Sequence, residues 1–219
     1  MVRFILGKLR YKLLREQKVF CIGLNKTGTT SIEKSLRRLG YRMGNQAEGE
    51  HLLKSYISRD YKPILRLCYK ADAFQDAPFS FPFTYIILHE HFPEAKFILS
   101  IRDNADQWYD SVVRYHGKLF ANGKVPTKED LMKSQYRYPG FIWEAQKALY
   151  NITDNDPYDK SALIDYYNRH NADVRDYFKF NSNFLEINLS DGEAYGKMCK
   201  FLGKEPQENG FPWLNKSGQ

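Results

Sequence analysis

The segment Gly23–Thr30 has the residue types and spacing of a loop that binds an anion. The apolar run Lys18–Gly23 before it is typical of a buried parallel strand, and Thr29 and Thr30 begin a segment with apolar residues at helical spacing. A loop between a strand and a helix offers backbone N–H groups, and the helix adds the positive end of its dipole. The segment therefore predicts a phosphate site, with Lys26 as its cation.

This loop differs from the loop of enzymes that hydrolyse ATP or GTP. In their pattern, GxxxxGK[ST], the second glycine is followed by a lysine and then by serine or threonine. Gly23, Gly28 and Thr30 match the pattern, but Thr29 stands in the lysine position and Lys26 lies three residues earlier. Because the lysine that reaches the outer phosphates is missing, we expect a donor other than ATP–Mg²⁺.

Arg102 is a second candidate for binding an anion. It follows Lys96–Ile101, the clearest buried strand in the chain, and open α/β sheets bind ligands at that end of their strands. Its guanidinium suits a phosphate dianion, which it can bind through two hydrogen bonds. A structural ion pair with Asp106 is the alternative interpretation.

Strand and helix patterns alternate along the chain. Strands are predicted at 18–23, 71–76, 96–101 and 184–189, and helices at 29–39, 48–68, 84–92, 106–120, 140–150, 161–180 and 192–202. Such alternation predicts an α/β fold in which a mostly parallel central sheet lies between two layers of helices, a three-layer sandwich. The segment 115–139 is predicted to be largely irregular and to act as a lid.

Composition and charge limit the function classes. The chain has 219 residues, of which 42% are hydrophobic and 16% aromatic, so it folds around a core. Residues 1–18 carry +5 of the net charge of +7, which indicates a short basic arm and no nucleic-acid-binding face. We predict this arm over 1–17, either packed on the protein or in peripheral contact with a membrane, and one α/β domain over 18–219.

Nothing in the sequence predicts a membrane span, a metal site or a disulfide framework. The longest uncharged run of the arm is too short for a secretory signal, and the chain has no stretch of 18 apolar residues. Its three cysteines are widely spaced and form no Cys/His cluster. We therefore predict a cytoplasmic protein without a metal site.

Two motifs resemble those of the sulfotransferases that use 3′-phosphoadenosine 5′-phosphosulfate (PAPS). The run Asn25–Ser31 (NKTGTTS) resembles their 5′-phosphosulfate loop, and Pro93–Asp103, followed by Ser111, resembles their 3′-phosphate block. The tail, Phe201–Asn215, is similar to the bacterial and eukaryotic branch with short C termini. The resemblance runs from about residue 18 to 216 and implies the sulfotransferase fold, which is related to that of P-loop NTPases.

The resemblance also implies which residues bind PAPS and its product, 3′,5′-adenosine bisphosphate. The loop residues implied are Asn25, Lys26, Thr27, Gly28, Thr29 and Thr30, and the residues implied at the 3′-phosphate are Arg102 and Ser111. The last two are nine residues apart, where the family pattern usually has eight. We expect the turn-prone Asp103–Ala105 to absorb the additional residue.

We therefore predict in-line transfer of a sulfuryl group from PAPS to a hydroxyl or amine of a small-molecule, carbohydrate or lipid acceptor. Lys26 is expected to stabilise the leaving phosphate, and Asp76, which ends a predicted strand, is the candidate general base. His89 and His91 are alternatives for that base. Two other functions stay open: a small-molecule or nucleotide kinase of P-loop fold, and a non-catalytic nucleotide-binding or membrane-surface adaptor.

Overall fold

A computed structural model of the chain describes residues 17–212. The predicted basic arm, apart from Gln17, and the tail beyond Pro212 lie outside the described residues. The chain forms two compact units: a sheet unit, up to Ile101 and from Phe178 onward, and a helical unit, Arg102–Tyr177. The single domain expected over 18–219 stays a prediction.

The sheet unit contains four strands, β1 (Val19–Cys21), β2 (Ala73–Gln75), β3 (Lys96–Ile101) and β4 (Phe184–Asn188). Their order is β2-β1-β3-β4, and every neighbouring pair is parallel, which confirms the predicted parallel sheet. In register, Cys21 pairs with Gln75 on one side and with Ile98 on the other. The carboxyl ends of β1 and β2 therefore meet at the same edge of the sheet.

Ten helices lie within residues 17–212 and complete the α/β fold. They are α1 (Thr29–Arg38), α2 (Gln46–Glu50), α3 (Leu53–Ile57), α4 (Lys62–Cys68), α5 (Thr84–His91), α6 (Ala105–Phe120), α7 (Lys128–Lys133), α8 (Phe141–Leu149), α9 (Lys160–Tyr177) and α10 (Ala194–Leu202). The continuous helix predicted at 48–68 is wrong. The chain is divided there into three short helices, with Arg59 in the left-handed region (φ 59°) between the second and the third.

The sheet lies between helical layers within the sheet unit, which confirms the predicted three-layer arrangement. On one face, alternate strand residues such as Val19 and Ile98 pack against apolar residues of α1 and α10. On the other face, Phe20 stacks on Phe97 with ring centroids 5.5 Å apart, and His89 of α5 packs edge-on against Phe97. Burial of both faces explains why β1 and the middle of β3 are apolar runs without polar alternation.

The helical unit comprises α6 to α9. Trp108 of α6 is fully buried and stacks on Tyr167 of α9, with ring centroids 5.0 Å apart. Residues 115–120 belong to α6, which confirms the helix predicted at 106–120, and α7 lies within the part of 115–139 that was predicted to be irregular. Thr127 and Asp130 form a reciprocal capping box at the start of α7, which fixes this helix locally.

Candidate active site

The predicted phosphate loop joins β1 to α1, as the sequence pattern indicates. Lys26 and Gly28 both adopt left-handed backbone conformations, with φ of 65° and 98°. Such a conformation costs a non-glycine residue on the order of 1–3 kcal/mol, and it persists only where the surrounding structure holds it. The loop and its surroundings therefore hold Lys26 in a backbone conformation that non-glycine residues rarely adopt.

The two glycines of the loop are required by close contacts. A Cβ atom on Gly23 would lie 2.5 Å from the backbone oxygen and 2.6 Å from the backbone nitrogen of Ser100, on β3. A Cβ atom on Gly28 would lie 2.3 Å from Cδ2 of Leu189. Side chains at these positions would move the loop away from the sheet, so the glycines fix its path.

Thr27 ties the loop to the sheet through its buried side chain. Its hydroxyl donates to the backbone oxygen of Leu24 at 2.6 Å and lies 2.6 Å from the hydroxyl oxygen of Ser100. Sequence analysis included Thr27 but missed Ser100, which lies inside an apolar strand pattern. The one available indication was a serine among apolar residues near the end of that strand.

The amino terminus of α1 completes the loop. The N–H groups of Ser31 and Ile32 donate to the backbone oxygen of Gly28 at 2.9 and 3.1 Å. The N–H groups of Thr29 and Thr30 come before this first turn of bonds, where a helix leaves donors without intrahelical acceptors. Together with the charge of Lys26, these donors suit one phosphate group.

Asp76 lies at the same edge of the sheet, immediately after β2. One carboxylate oxygen accepts a hydrogen bond from the backbone N–H of Ala77 at 2.9 Å. Burial raises the pKa of Asp76 from 3.8 to about 6, and the carboxylates of Glu50 and Glu33 add to the rise. The Ala77 N–H and the charge of Lys26 act in the opposite direction. A carboxyl group with this pKa is ionised at neutral pH and is still basic enough to accept a proton.

Asp76 belongs to a set of five polar side chains that we call the carboxylate cluster. Its members are Glu33, Gln46, Glu50, Gln75 and Asp76. The side-chain nitrogen of Gln46 donates to Glu50 at 3.0 Å and to Asp76 at 3.4 Å. That of Gln75 donates to Gln46 at 2.8 Å and to Glu33 at 3.4 Å. Of these residues, sequence analysis identified only Asp76.

The two histidines considered as alternative bases lie elsewhere in the sheet unit. Nε2 of His89 is 3.0 Å from the amide nitrogen of Asn181, and its ring packs on the second residue of β3. Nε2 of His91 is 2.7 Å from the hydroxyl of Tyr69, which precedes β2. Both lie towards the amino ends of the strands, whereas the loop and Asp76 lie at the carboxyl ends. The location favours Asp76, whose role as the base stays a prediction.

The helical unit contains the other predicted site residues, Arg102 and Ser111. The N–H of Arg102 donates to the hydroxyl of Tyr167 at 2.9 Å. Burial lowers the pKa of the Arg102 guanidinium, and the charge of Arg114 lowers it further, against the opposing effect of Asp103. Ser111 is partly buried on α6 and lies one turn before Arg114. Because the charge of Arg114 acts on Arg102, two guanidinium groups lie near each other, which would suit an anion. Arg114 was not among the residues predicted from the sequence.

Two features are absent from residues 17–212. No three His, Cys, Asp or Glu side chains are grouped there so that they could hold a metal ion. None of the described helices has a long enough apolar stretch to cross a lipid bilayer.

Comparison with known proteins identifies the family of the chain. Residues 18–219 match the profile of the family described as "Sulfotransferase domain", which covers almost the whole chain. No curated protein matches the sequence. The family match supports sulfotransfer as the general activity.

Proposed function

The chain belongs to the sulfotransferase domain family, and we propose that it transfers a sulfuryl group from PAPS to a hydroxyl or amine of its acceptor. The observation that carries this proposal is the arrangement of Lys26 and Asp76. A phosphate loop without the lysine of nucleotide hydrolases lies beside a partly buried carboxyl group whose pKa is raised to about 6. One supplies positive charge, and the other supplies a base.

The loop is suited to a donor that offers it a single phosphate. PAPS supplies a sulfuryl group on its 5′-phosphate, and transfer breaks the bond between sulfur and the bridging oxygen, whose electron pair stays with the phosphate. Lys26 and the N–H groups at the start of α1 stabilise the charge that the phosphate gains. Their geometry is fixed in advance by Gly23, Thr27 and Gly28, so little reorganisation is needed at the moment of transfer.

Asp76 completes the reaction on the acceptor side. Its carboxylate takes the proton of the acceptor hydroxyl as the hydroxyl oxygen forms its bond to sulfur. In the helical unit, we assign Arg102 to the 3′-phosphate, with Ser111 and Arg114 beside it, because partial burial of a guanidinium favours pairing with an anion.

A thermal-shift comparison on the full chain tests the donor class. We expect 3′,5′-adenosine bisphosphate at about 100 times its Kd to stabilise the protein by about 2.7 kcal/mol, a rise of roughly 5–10 °C in Tm. AMP should give a smaller shift, and ATP–Mg²⁺ none beyond that of AMP. A larger shift with ATP–Mg²⁺ would contradict the proposal and favour a kinase.

We also propose a cytoplasmic location and a small-molecule, carbohydrate or lipid acceptor. Cys21, Cys68 and Cys199 are free, buried thiols, which is compatible with a reducing compartment. Expression of a tagged full chain, with fractionation of the cells, checks the location. A screen of candidate acceptors with ³⁵S-labelled PAPS identifies the acceptor.

A further inference from the structure

The carboxylate cluster has fixed amide orientations. The side-chain nitrogen of Gln46 faces two carboxylates, Glu50 and Asp76, so its oxygen must point to the other side. That oxygen accepts from the side-chain nitrogen of Gln75, which also donates to Glu33. Neither amide can be turned over without facing like groups toward each other. The donors of both glutamines are therefore used within the cluster.

One acceptor in the cluster has no hydrogen-bond partner within residues 17–212. Gln75 is only 6% exposed, and its side-chain oxygen is buried without a hydrogen bond. An unsatisfied buried acceptor costs about 1–3 kcal/mol, so native proteins rarely retain one without a function or a bound group. The cluster therefore has more acceptors than donors, and what it lacks is a hydrogen-bond donor.

The charge of the cluster points to the same kind of ligand. Three carboxyl groups converge there, and Glu50 is only 5% exposed. Lys26 is the cation whose charge acts on Asp76, and in the proposed function Lys26 serves the donor phosphate. Arg37 pairs with Glu33 from the exposed face of α1. The three carboxyl groups therefore favour a ligand that carries positive charge.

The cluster is open on one side. Glu33, Gln46 and Asp76 are partly exposed, whereas Gln75 and Glu50 form the buried side. The carboxyl groups are not arranged as ligands of a metal ion. A ligand that brings both positive charge and several N–H donors would satisfy the cluster, and an ammonium group has these properties.

We propose that the carboxylate cluster binds an ammonium group of the acceptor, so that the acceptors of this enzyme are amino alcohols, including amino sugars. This inference rests on the proposed function. The ammonium group stays protonated among the carboxylates, and a neighbouring hydroxyl of the same molecule loses its proton to Asp76 and forms the bond to sulfur. The cluster thus selects the acceptor by charge, and the loop selects the donor.

Binding of matched probes to the full chain tests the inference. Glucosamine and ethanolamine are compared with N-acetylglucosamine and N-acetylethanolamine, in the presence of saturating 3′,5′-adenosine bisphosphate. The side-chain amide resonances of Gln46 and Gln75 are followed by NMR. We expect the amines to shift these resonances and to bind about tenfold more tightly than their acetylated counterparts, as one charge-assisted hydrogen bond would provide.

Two variants on the same helix separate the cluster from general charge effects. Glu50→Gln removes a buried carboxylate of the cluster, and Glu48→Gln removes an exposed one that pairs with Lys70. We expect Glu50→Gln to abolish the preference for amines and Glu48→Gln to retain it. If Glu50→Gln does not fold, the comparison of amines with acetylated probes on the unaltered protein decides alone.

The outcomes distinguish the inference from the function on which it rests. Binding of the bisphosphate, with equal or no response to the amines and their acetylated forms, overturns the inference and leaves the proposed function intact. Failure to bind the bisphosphate overturns both. A preference for amines that persists in folded Glu50→Gln also overturns the inference, and so does a preference that Glu48→Gln abolishes.

Discussion

The phosphate loop and the carboxylate cluster lie at the carboxyl ends of adjacent strands and are built in different ways. Close packing and neutral hydrogen bonds fix the loop. Gly23 and Thr27 contact Ser100, and Gly28 packs against Leu189. The cluster consists of carboxyl and amide side chains from several elements, and it retains an unpaired acceptor. This difference indicates that the proposed donor site is shaped by the backbone and the proposed acceptor site by electrostatics.

Replacement of the loop cation should have the largest effect on turnover. We expect Lys26→Ala to lower kcat by roughly 10²–10³, the range found when one group that stabilises transition-state charge is removed. Lys34→Ala, on the exposed side of α1, serves as the control and should retain full activity. Initial rates with ³⁵S-labelled PAPS measure both variants. Full turnover in Lys26→Ala would remove the loop from the reaction.

Replacement of the Asp76 carboxyl group should change how turnover depends on pH. Asp76 must be ionised to act as a base, so turnover of the unaltered protein should fall as the pH drops through about 6. We expect Asp76→Asn to lower kcat by about 10² at pH 7.5 and to lose this acidic limb. Asp173→Asn, exposed on α9, is the matched control. A retained acidic limb in Asp76→Asn would assign the base to another group.

The steric basis of the loop can be separated from its chemistry. Gly23→Ala places a methyl group against backbone atoms of Ser100, so the loop or β3 must shift. We expect a loss of about 1–3 kcal/mol in the free energy of unfolding and much weaker binding of the bisphosphate. Gly196→Ala, where a Cβ atom meets nothing within 4 Å, should leave both unchanged or raise stability slightly. Urea unfolding and calorimetric titration measure the two effects.

The ionised carboxyl group of Asp76 should lower the stability of the folded protein. The raised pKa means that between pH 3.8 and about 6 the folded protein holds a proton that the unfolded chain has released. Stability contributed by Asp76 therefore falls as the pH rises through this range and is constant above it. We expect Asp76→Asn to be more stable than the unaltered protein by about 1–2 kcal/mol at pH 7.5, with little difference at pH 4. Urea unfolding at both pH values checks this, and a variant that is less stable at pH 7.5 would contradict it.

The loop could be predicted from the sequence because its residues are contiguous. Gly23, Lys26 and Gly28 stand at fixed spacing between a strand and a helix, and the family match includes this segment. The parallel sheet followed from four apolar runs separated by helical patterns. Helix boundaries within 48–68 and 115–139 were missed although two local signals were available: Pro63 in the first turn of α4 and the capping-box spacing of Thr127 and Asp130 at α7.

The cluster could not be predicted because its members are far apart in the sequence. Glu33 belongs to α1, Glu50 to α2 and Gln75 to β2, and only the fold brings them to one place. Considered alone in the sequence, each of them could equally be a surface or capping residue. Asp76 was predicted only because it ends a strand, at the edge where parallel sheets bind ligands.

³¹P NMR of bound 3′,5′-adenosine bisphosphate tests the central claim, that Lys26 and its loop hold the 5′-phosphate of the donor. The two phosphates give separate resonances, so each end of the nucleotide can be followed in the full chain. The account predicts that Lys26→Ala shifts the bound 5′-phosphate resonance and leaves the 3′-phosphate resonance in place, whereas Lys34→Ala changes neither. An unchanged 5′-phosphate resonance in Lys26→Ala would contradict it.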